Sequence, residues 1–156
     1  MSSFLEGRES EDEFISRRGD SFIRKATRSE DIEEHWDVLD KELGRVDVKA
    51  AKRKYRGGPI NNTIWWELRT VKRPPNNISK PGWGVPNNVD RLIAVRASNT
   101  FYLVNPSDII EDLRKKCKSF YRGEFGLHER PNRGDLTTIL PLDYIIKNSR
   151  CIIEGA

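Results

Sequence analysis

The chain has 156 residues, enough for one compact core and short for two. Hydrophobic residues make up 36% and charged residues 33%, and no apolar run nears the ~20 residues of a membrane-spanning helix, so no membrane partner is expected. A net charge of +4 and a pI near 9.1 permit a polyanionic partner without requiring one.

The opening residues, Met1 to Glu9, lack the basic and apolar regions of a signal peptide. The two cysteines, Cys117 and Cys151, lie far apart in sequence. Together these features predict a cytoplasmic protein with reduced thiols.

Residues 9–18 predict a short helix, with Ser10 and Glu13 spaced as a capping box, Phe14 and Ile15 facing the core, and Gly19 as its stop. Taken alone, Glu11 reads as a solvated carboxylate at the helix start. Residues 21–27 predict a first strand. Residues 27–34 form an acidic connector, one helical turn capped by Thr27 or Ser29.

Residues 35–49 then predict two short strands joined by a polar turn at 40–44, where Gly44 tolerates positive φ. The first strand carries Asp37 and the second carries Asp47 and Lys49. Alternation places Asp47 and Lys49 side by side on one face, with Val46, Val48 and Ala50 on the other. His35, two residues before Asp37, would share its face, though a hydrogen-bonded structural histidine is the stronger reading.

Lys52, Arg53, Lys54 and Arg56 follow directly, with Tyr55 among them. They read equally as a phosphate-contacting loop and as a solvated strand end. Residues 63–71 have the strongest strand propensity in the chain. Glu67 there is either a fourth acid near the site or a partner for Arg69, and the structural role is favoured. Residues 72–88 are a long loop rich in Pro, Gly and Asn, carrying Lys72, Arg73, Lys80 and Trp83. Basic residues around an aromatic suit nucleic acid, while Trp83 equally suits a plug that fixes the loop to the domain.

Residues 90–96 and 100–104 predict a strand pair around the turn 97–99. Pro106-Ser107-Asp108 opens a helix running from Ile109 to about Lys118. Residues 136–140 predict an edge strand and 142–146 a short closing helix. His128 with Cys117 and Cys151 gives no zinc-binding spacing.

Two acids and a lysine on one sheet edge suit phosphodiester hydrolysis. Carboxylates and a strand carbonyl hold Mg²⁺, and an ammonium orients or deprotonates the water and offsets developing charge. Asp37, Asp47 and Lys49 divide the work in this way, and the carbonyl of Val48 is a natural further metal ligand.

This pattern resembles the PD-(D/E)xK nuclease superfamily, which includes restriction endonucleases. Trp36-Asp37 stands where the Pro-Asp half is expected, and Asp47-Val48-Lys49 forms the second half. Many members place a glutamate on the first helix, and Glu11 sits there, which implies a further catalytic and metal-holding residue, with Glu9 and Glu13 open as alternatives. The segments 30–37, 46–49, Trp66-Glu67, 82–84 and 90–95 also resemble small phage-encoded members.

The resemblance covers roughly residues 7–115. It implies a single α/β domain with a restriction-endonuclease-like core, a mixed central sheet flanked by helices in an αβββαβ order. The core would span about 7–118 and a C-terminal extension 119–156. It further implies a deoxyribonuclease using Mg²⁺, or Mn²⁺ as a substitute, with endonuclease favoured over exonuclease. Many members dimerise to cut two strands, so a homodimer is one expected state, in the host cytoplasm if the chain is phage-encoded. The alternative is a DNA-binding or phage assembly protein that keeps the fold without catalysis. The long Pro-rich loop and the absence of a clear helix after the Asp-x-Lys strand depart from the family pattern.

Overall fold

A computed structural model describes residues 3–51, 62–71, 79–129 and 134–155. It is an α/β structure with two sheets. The first helix, α1 (Ser3–Arg18), leads through a 3-10 turn into β1 (Phe22–Lys25), α2 (Arg28–Glu34), β2 (Val38–Asp40) and β3 (Gly44–Ala50). Next come β4 (Thr63–Val71), β5 (Ser79–Pro81), β6 (Arg91–Ala97), β7 (Thr100–Val104) and α3 (Pro106–Lys116). The chain closes with β8 (Leu127–Glu129), β9 (Leu136–Pro141), α4 (Leu142–Asn148) and β10 (Cys151–Ile153).

The larger sheet is mixed, in the order β1-β2-β3-β6-β7-β10. Its parallel pair is β3 against β6, with Asp47 level with Ile93 and Lys49 level with Val95. The smaller sheet runs β5-β4-β9-β8 and is antiparallel throughout. No helix among the described residues is long and apolar enough to cross a membrane.

Both faces of the larger sheet are covered, which explains the unbroken apolar run Leu92–Val95 in β6. On one face Val38, Val46, Val48, Leu92 and Ala94 pack around Phe14 of α1. On the other, Ile93 and Val95 meet Ile64 and Trp66 of β4, Leu140 of β9, Ile109 and Leu113 of α3, and Ile145 of α4. Asp47 and Lys49 share this second face, because they alternate with Val46 and Val48.

Several local expectations change. The first helix begins at Ser3, so Ser10 is no cap: it is buried mid-helix, and its hydroxyl accepts a hydrogen bond from Arg96 at 3.4 Å. Thr27, not Ser29, caps α2, with Glu30 completing the box. Residues 136–140 form an internal strand of the smaller sheet. Between β3 and β6, the described residues form β4 and β5 where the αβββαβ order expects a helix. The residues after 119 complete both sheets through β9 and β10.

A buried ion pair fixes the hairpin that carries Asp47. The Asp40 carboxylate, with no exposed side-chain surface, accepts from Arg18 Nε at 2.7 Å and from the Glu42 and Leu43 amides at 2.9 and 3.0 Å. Burial alone would raise the Asp40 pKa, but Arg18 and the two amides outweigh it and hold it below the ordinary value. This stability is therefore present above the ordinary carboxyl range and is lost as pH falls through the lowered value. Asp40→Ala is expected to cost about 3 kcal/mol in urea unfolding at neutral pH. The gap from the parent protein should narrow in acid.

Candidate active site

Asp37 is positioned by its neighbours on both sides. Trp36 is fully buried, its Nε1 donates to Glu34 at 3.0 Å, and the guanidinium groups of Arg24 and Arg45 lie over its ring. Asp37 itself sits just before β2, where its amide donates to the Val46 carbonyl at 2.9 Å and continues the ladder. Its Oδ2 accepts from the Val48 amide at 2.8 Å. The amide and carbonyl of one strand residue share an edge, so the Val48 carbonyl also points away from β6 and toward Asp37.

Asp47 is 2% exposed, and its Oδ1 lies 3.1 Å from Lys49 Nζ. Its Oδ2 is buried without a hydrogen-bond partner. Asp37 and Asp47 are close enough to hydrogen-bond each other. Desolvation, followed by the charge of Asp47 and that hydrogen bond, pushes the Asp37 pKa up to about 7. Burial would lower the Lys49 pKa, but the Asp47 and Asp37 carboxylates more than offset it and hold it above the ordinary value. Lys49 therefore stands as an ammonium in this arrangement. That favours its role in offsetting charge over the role of a base.

Of the three candidate glutamates, Glu9, Glu11 and Glu13, Glu11 is the one whose charge couples to Asp37. Desolvation and then the charge of Asp37 raise its pKa, while Lys25, 3.7 Å away, lowers it. Glu9 instead lies 3.9 Å from Arg96, and Glu13 receives Arg17 Nε at 2.9 Å.

His35 does not share a strand face with Asp37. It terminates α2 in the left-handed conformation, with φ 59°. Desolvation, then the charges of Arg91 and Lys49, lower its pKa and favour the neutral ring. Glu67 accepts from the Trp83 amide at 3.3 Å and so serves the Gly82-Trp83-Gly84 turn.

Trp83 packs at 4.8 Å against Trp66, and Lys49 Nζ lies 5.0 Å from the centre of its ring. This is the plug arrangement, and one face of the plug forms a wall of the site. Lys80 on β5 pairs with Glu33 at 3.2 Å. Lys52, Arg53, Lys54, Arg56, Lys72 and Arg73 lie outside the described residues.

Neither glycine of the turn has room for a Cβ. A Cβ on Gly84 would sit 2.6 Å from the Glu67 carbonyl and would also strike the Trp66 indole. Gly84→Ala is expected to cost about 2–4 kcal/mol. Thermal unfolding gives the loss, and the tryptophan emission should shift as Trp83 is displaced.

Two residues of the site were given no role from sequence. Asp31 of α2 lies close to Asp37, and desolvation followed by the Asp37 charge raises its pKa. Its i, i+4 spacing to His35 was the available signal. Arg91, 3% exposed, donates to the Trp83 and Val85 carbonyls at 2.6 and 2.8 Å and keeps a buried, unpartnered Nε. Desolvation lowers its pKa and the nearby Asp47 partly restores it. Alternation with Ile93 and Val95 places Arg91 on the face of Asp47, which is legible once β3 and β6 are known to pair.

The donor set fits a hard divalent cation. It is all oxygen, anionic and adjacent, and the unpartnered Asp47 Oδ2 lacks a counterpart. Among the described residues no three His, Cys, Asp or Glu side chains are grouped to hold one ion. The groups that could hold such an ion are the Asp37 and Asp47 carboxylates with the Val48 carbonyl, and Glu11 and Asp31 bring further negative charge to Asp37. Comparison with family models, curated proteins and solved structures found no match for this chain.

Proposed function

We propose that this protein is a Mg²⁺-dependent nuclease that hydrolyses phosphodiester bonds in DNA, an endonuclease in preference to an exonuclease. The observation that carries the reading is the pair of adjacent, desolvated carboxylates, Asp37 and Asp47, beside the Lys49 ammonium. A half-buried and a buried carboxylate side by side need a proton or a cation between them, and the lysine 3.1 Å from Asp47 is paired with that one acid. We read the hairpin and α1 as the catalytic half of a restriction-endonuclease-like core. The placing of α1 against the β2–β3 hairpin and the approach of Glu11 to Asp37 support this, although α2 interrupts the αβββ order.

Bound Mg²⁺, or Mn²⁺ in its place, would polarise the scissile phosphate and make a coordinated water more acidic. Asp37, Asp47 and the Val48 carbonyl would hold it. Lys49 places a positive charge where the phosphorane and leaving oxygen gain negative charge. Trp83 lies over that ammonium beside Asp47, and Arg91 holds the Trp83 turn by its carbonyls. Glu11 and Asp31 deepen the negative potential around Asp37, which favours a dication over a single proton.

Purified protein incubated with supercoiled, linear and branched DNA tests the reading. Cleavage is expected with Mg²⁺ and none with EDTA; no cleavage of any substrate rejects it. One observation favours a second reading, a DNA-binding or assembly protein that keeps the fold: the described side chains form no three-ligand metal group. That reading predicts DNA binding indifferent to EDTA and no cleavage.

A further inference from the structure

A second feature lies at the other end of α3 from Asn105. From Arg114 to Arg122 the chain reads Arg-Lys-Lys-Cys-Lys-Ser-Phe-Tyr-Arg, five cations and two aromatics with no acid. Arg114, Lys115, Lys116, Lys118 and Arg122 are all exposed. So are Phe120, at 65%, and Tyr121, at 48%.

Cations in the last turn of a helix complement its dipole, and one or two suffice for the few tenths of a kcal/mol available there. That leaves Lys118, Arg122 and both aromatics unexplained. Nor is the aromatic exposure a matter of slack chain. The Ser119 carbonyl accepts from the Leu127 amide at 2.9 Å, and the Tyr121 hydroxyl donates to the Glu124 carbonyl at 2.5 Å. The Phe125 amide donates to the Ile139 carbonyl at 2.9 Å, and a Cβ on Gly126 would run into the Tyr121 carbonyl. Lys116 lies over Phe125, which packs edge-on against Tyr144. The segment is pinned to the smaller sheet, and Phe120 is held in water by a built loop at a hydrophobic cost.

We infer that Arg114–Arg122 is a binding surface for single-stranded nucleic acid, with Lys115, Lys118 and Arg122 on phosphates and Phe120 stacking on a base. A one-sign charge run fits a polyanion, and the exposed ring fits unpaired bases, because bases in a duplex are already stacked. The surface shares the α3 side of the larger sheet with Asp47 and Lys49. It is one helix length, roughly 16 Å, from the α3 N-terminus, where Asn105 holds Asp90 beside Arg91. The inference does not require the acid site to be catalytic.

Fluorescence anisotropy of a labelled oligo(dT) about 15 nucleotides long, in EDTA and over a range of salt, tests it. EDTA removes any metal-dependent cleavage, so failure here is separate from failure of the nuclease reading. Lys115→Gln/Lys118→Gln is expected to weaken binding about tenfold and to reduce the salt slope by about 1.4. Lys41→Gln/Lys147→Gln, on other exposed positions, should do neither. Phe120→Ala is expected to weaken oligo(dT) binding at least fivefold while leaving duplex binding unchanged.

All of these positions are exposed, and equal melting temperatures confirm folding. Parent-like oligo(dT) binding by both the Lys115/Lys118 and Phe120 variants overturns the inference, as does equal loss in the Lys41/Lys147 control. Loss in the charge variant alone, with Phe120→Ala unaffected, overturns single-strand stacking. Self-association abolished by Phe120→Ala without a change in oligonucleotide binding assigns the surface to a second copy instead.

Discussion

Asp37→Asn is expected to stabilise the metal-free protein at alkaline pH while abolishing metal-dependent cleavage. The ordinary carboxyl pKa of 3.8 is raised to about 7 in the folded chain. A raised acid binds its proton more tightly when folded, so stability falls as pH climbs between those two values. Below about pH 4 the group is protonated in both states and the substitution changes little. Above about pH 7 the full penalty applies, and removing the charge should recover on the order of 2–4 kcal/mol. An asparagine oxygen can still accept the Val48 amide, so the local geometry survives.

Cleavage should fall on the order of 10³-fold or more, because one of two anionic ligands is gone. Added Mg²⁺ should raise the melting temperature of the parent protein and leave that of the variant unchanged. Thermal unfolding at pH 5 and pH 8, with and without Mg²⁺, measures each part. A variant no more stable than its parent at pH 8 contradicts the electrostatic account of the pair.

Lys49→Met separates binding of the metal from chemistry. The substitution keeps length and apolar bulk against Trp83 but removes the charge 3.1 Å from Asp47. The rate is expected to drop about 10²–10³-fold, since the counter-charge acts mainly on the transition state. Mg²⁺ affinity should be retained or increased, because a competing cation has left the carboxylates. The metal-free variant should lose about 2 kcal/mol, as Asp47 stays buried with its ion partner removed, and Mg²⁺ should restore much of it. Single-turnover cleavage with calorimetric Mg²⁺ titration distinguishes these effects. Loss of Mg²⁺ binding in step with rate would show that Lys49 only shapes the site.

Much of this arrangement is legible in residue spacing. Alternation in Val46-Asp47-Val48-Lys49 fixes which side chains face α1 and which face the smaller sheet, because strand periodicity is rigid. Gly44, with φ 78°, marks the hairpin turn as read. The acid cluster was half visible. Glu11 needed the packing of α1 on β3 before its approach to Asp37 had a cause. Asp31 needed the left-handed turn at His35, which spacing alone does not reveal.

Arg91 was hidden for a different reason. A charged residue at the start of an apolar strand reads as exposed, and here three loop carbonyl and carboxylate neighbours keep it inside. Among the described residues between β3 and β6, the strand propensity of residues 63–71 is used for a separate sheet, a choice made by long-range pairing with β9. The Gly82–Gly84 turn gave a loop signal in sequence. Its fit against Trp66 and Glu67 depends on side chains from a distant strand.

The central claim is that Asp37, Asp47 and the Val48 carbonyl hold a divalent cation. Anomalous diffraction from crystals soaked in Mn²⁺ measures this directly. The account predicts a peak about 2.1 Å from oxygens of Asp37, Asp47 and Val48, absent in Asp47→Asn crystals soaked in the same way. No peak in the parent crystals, or a peak that persists in Asp47→Asn, would contradict it.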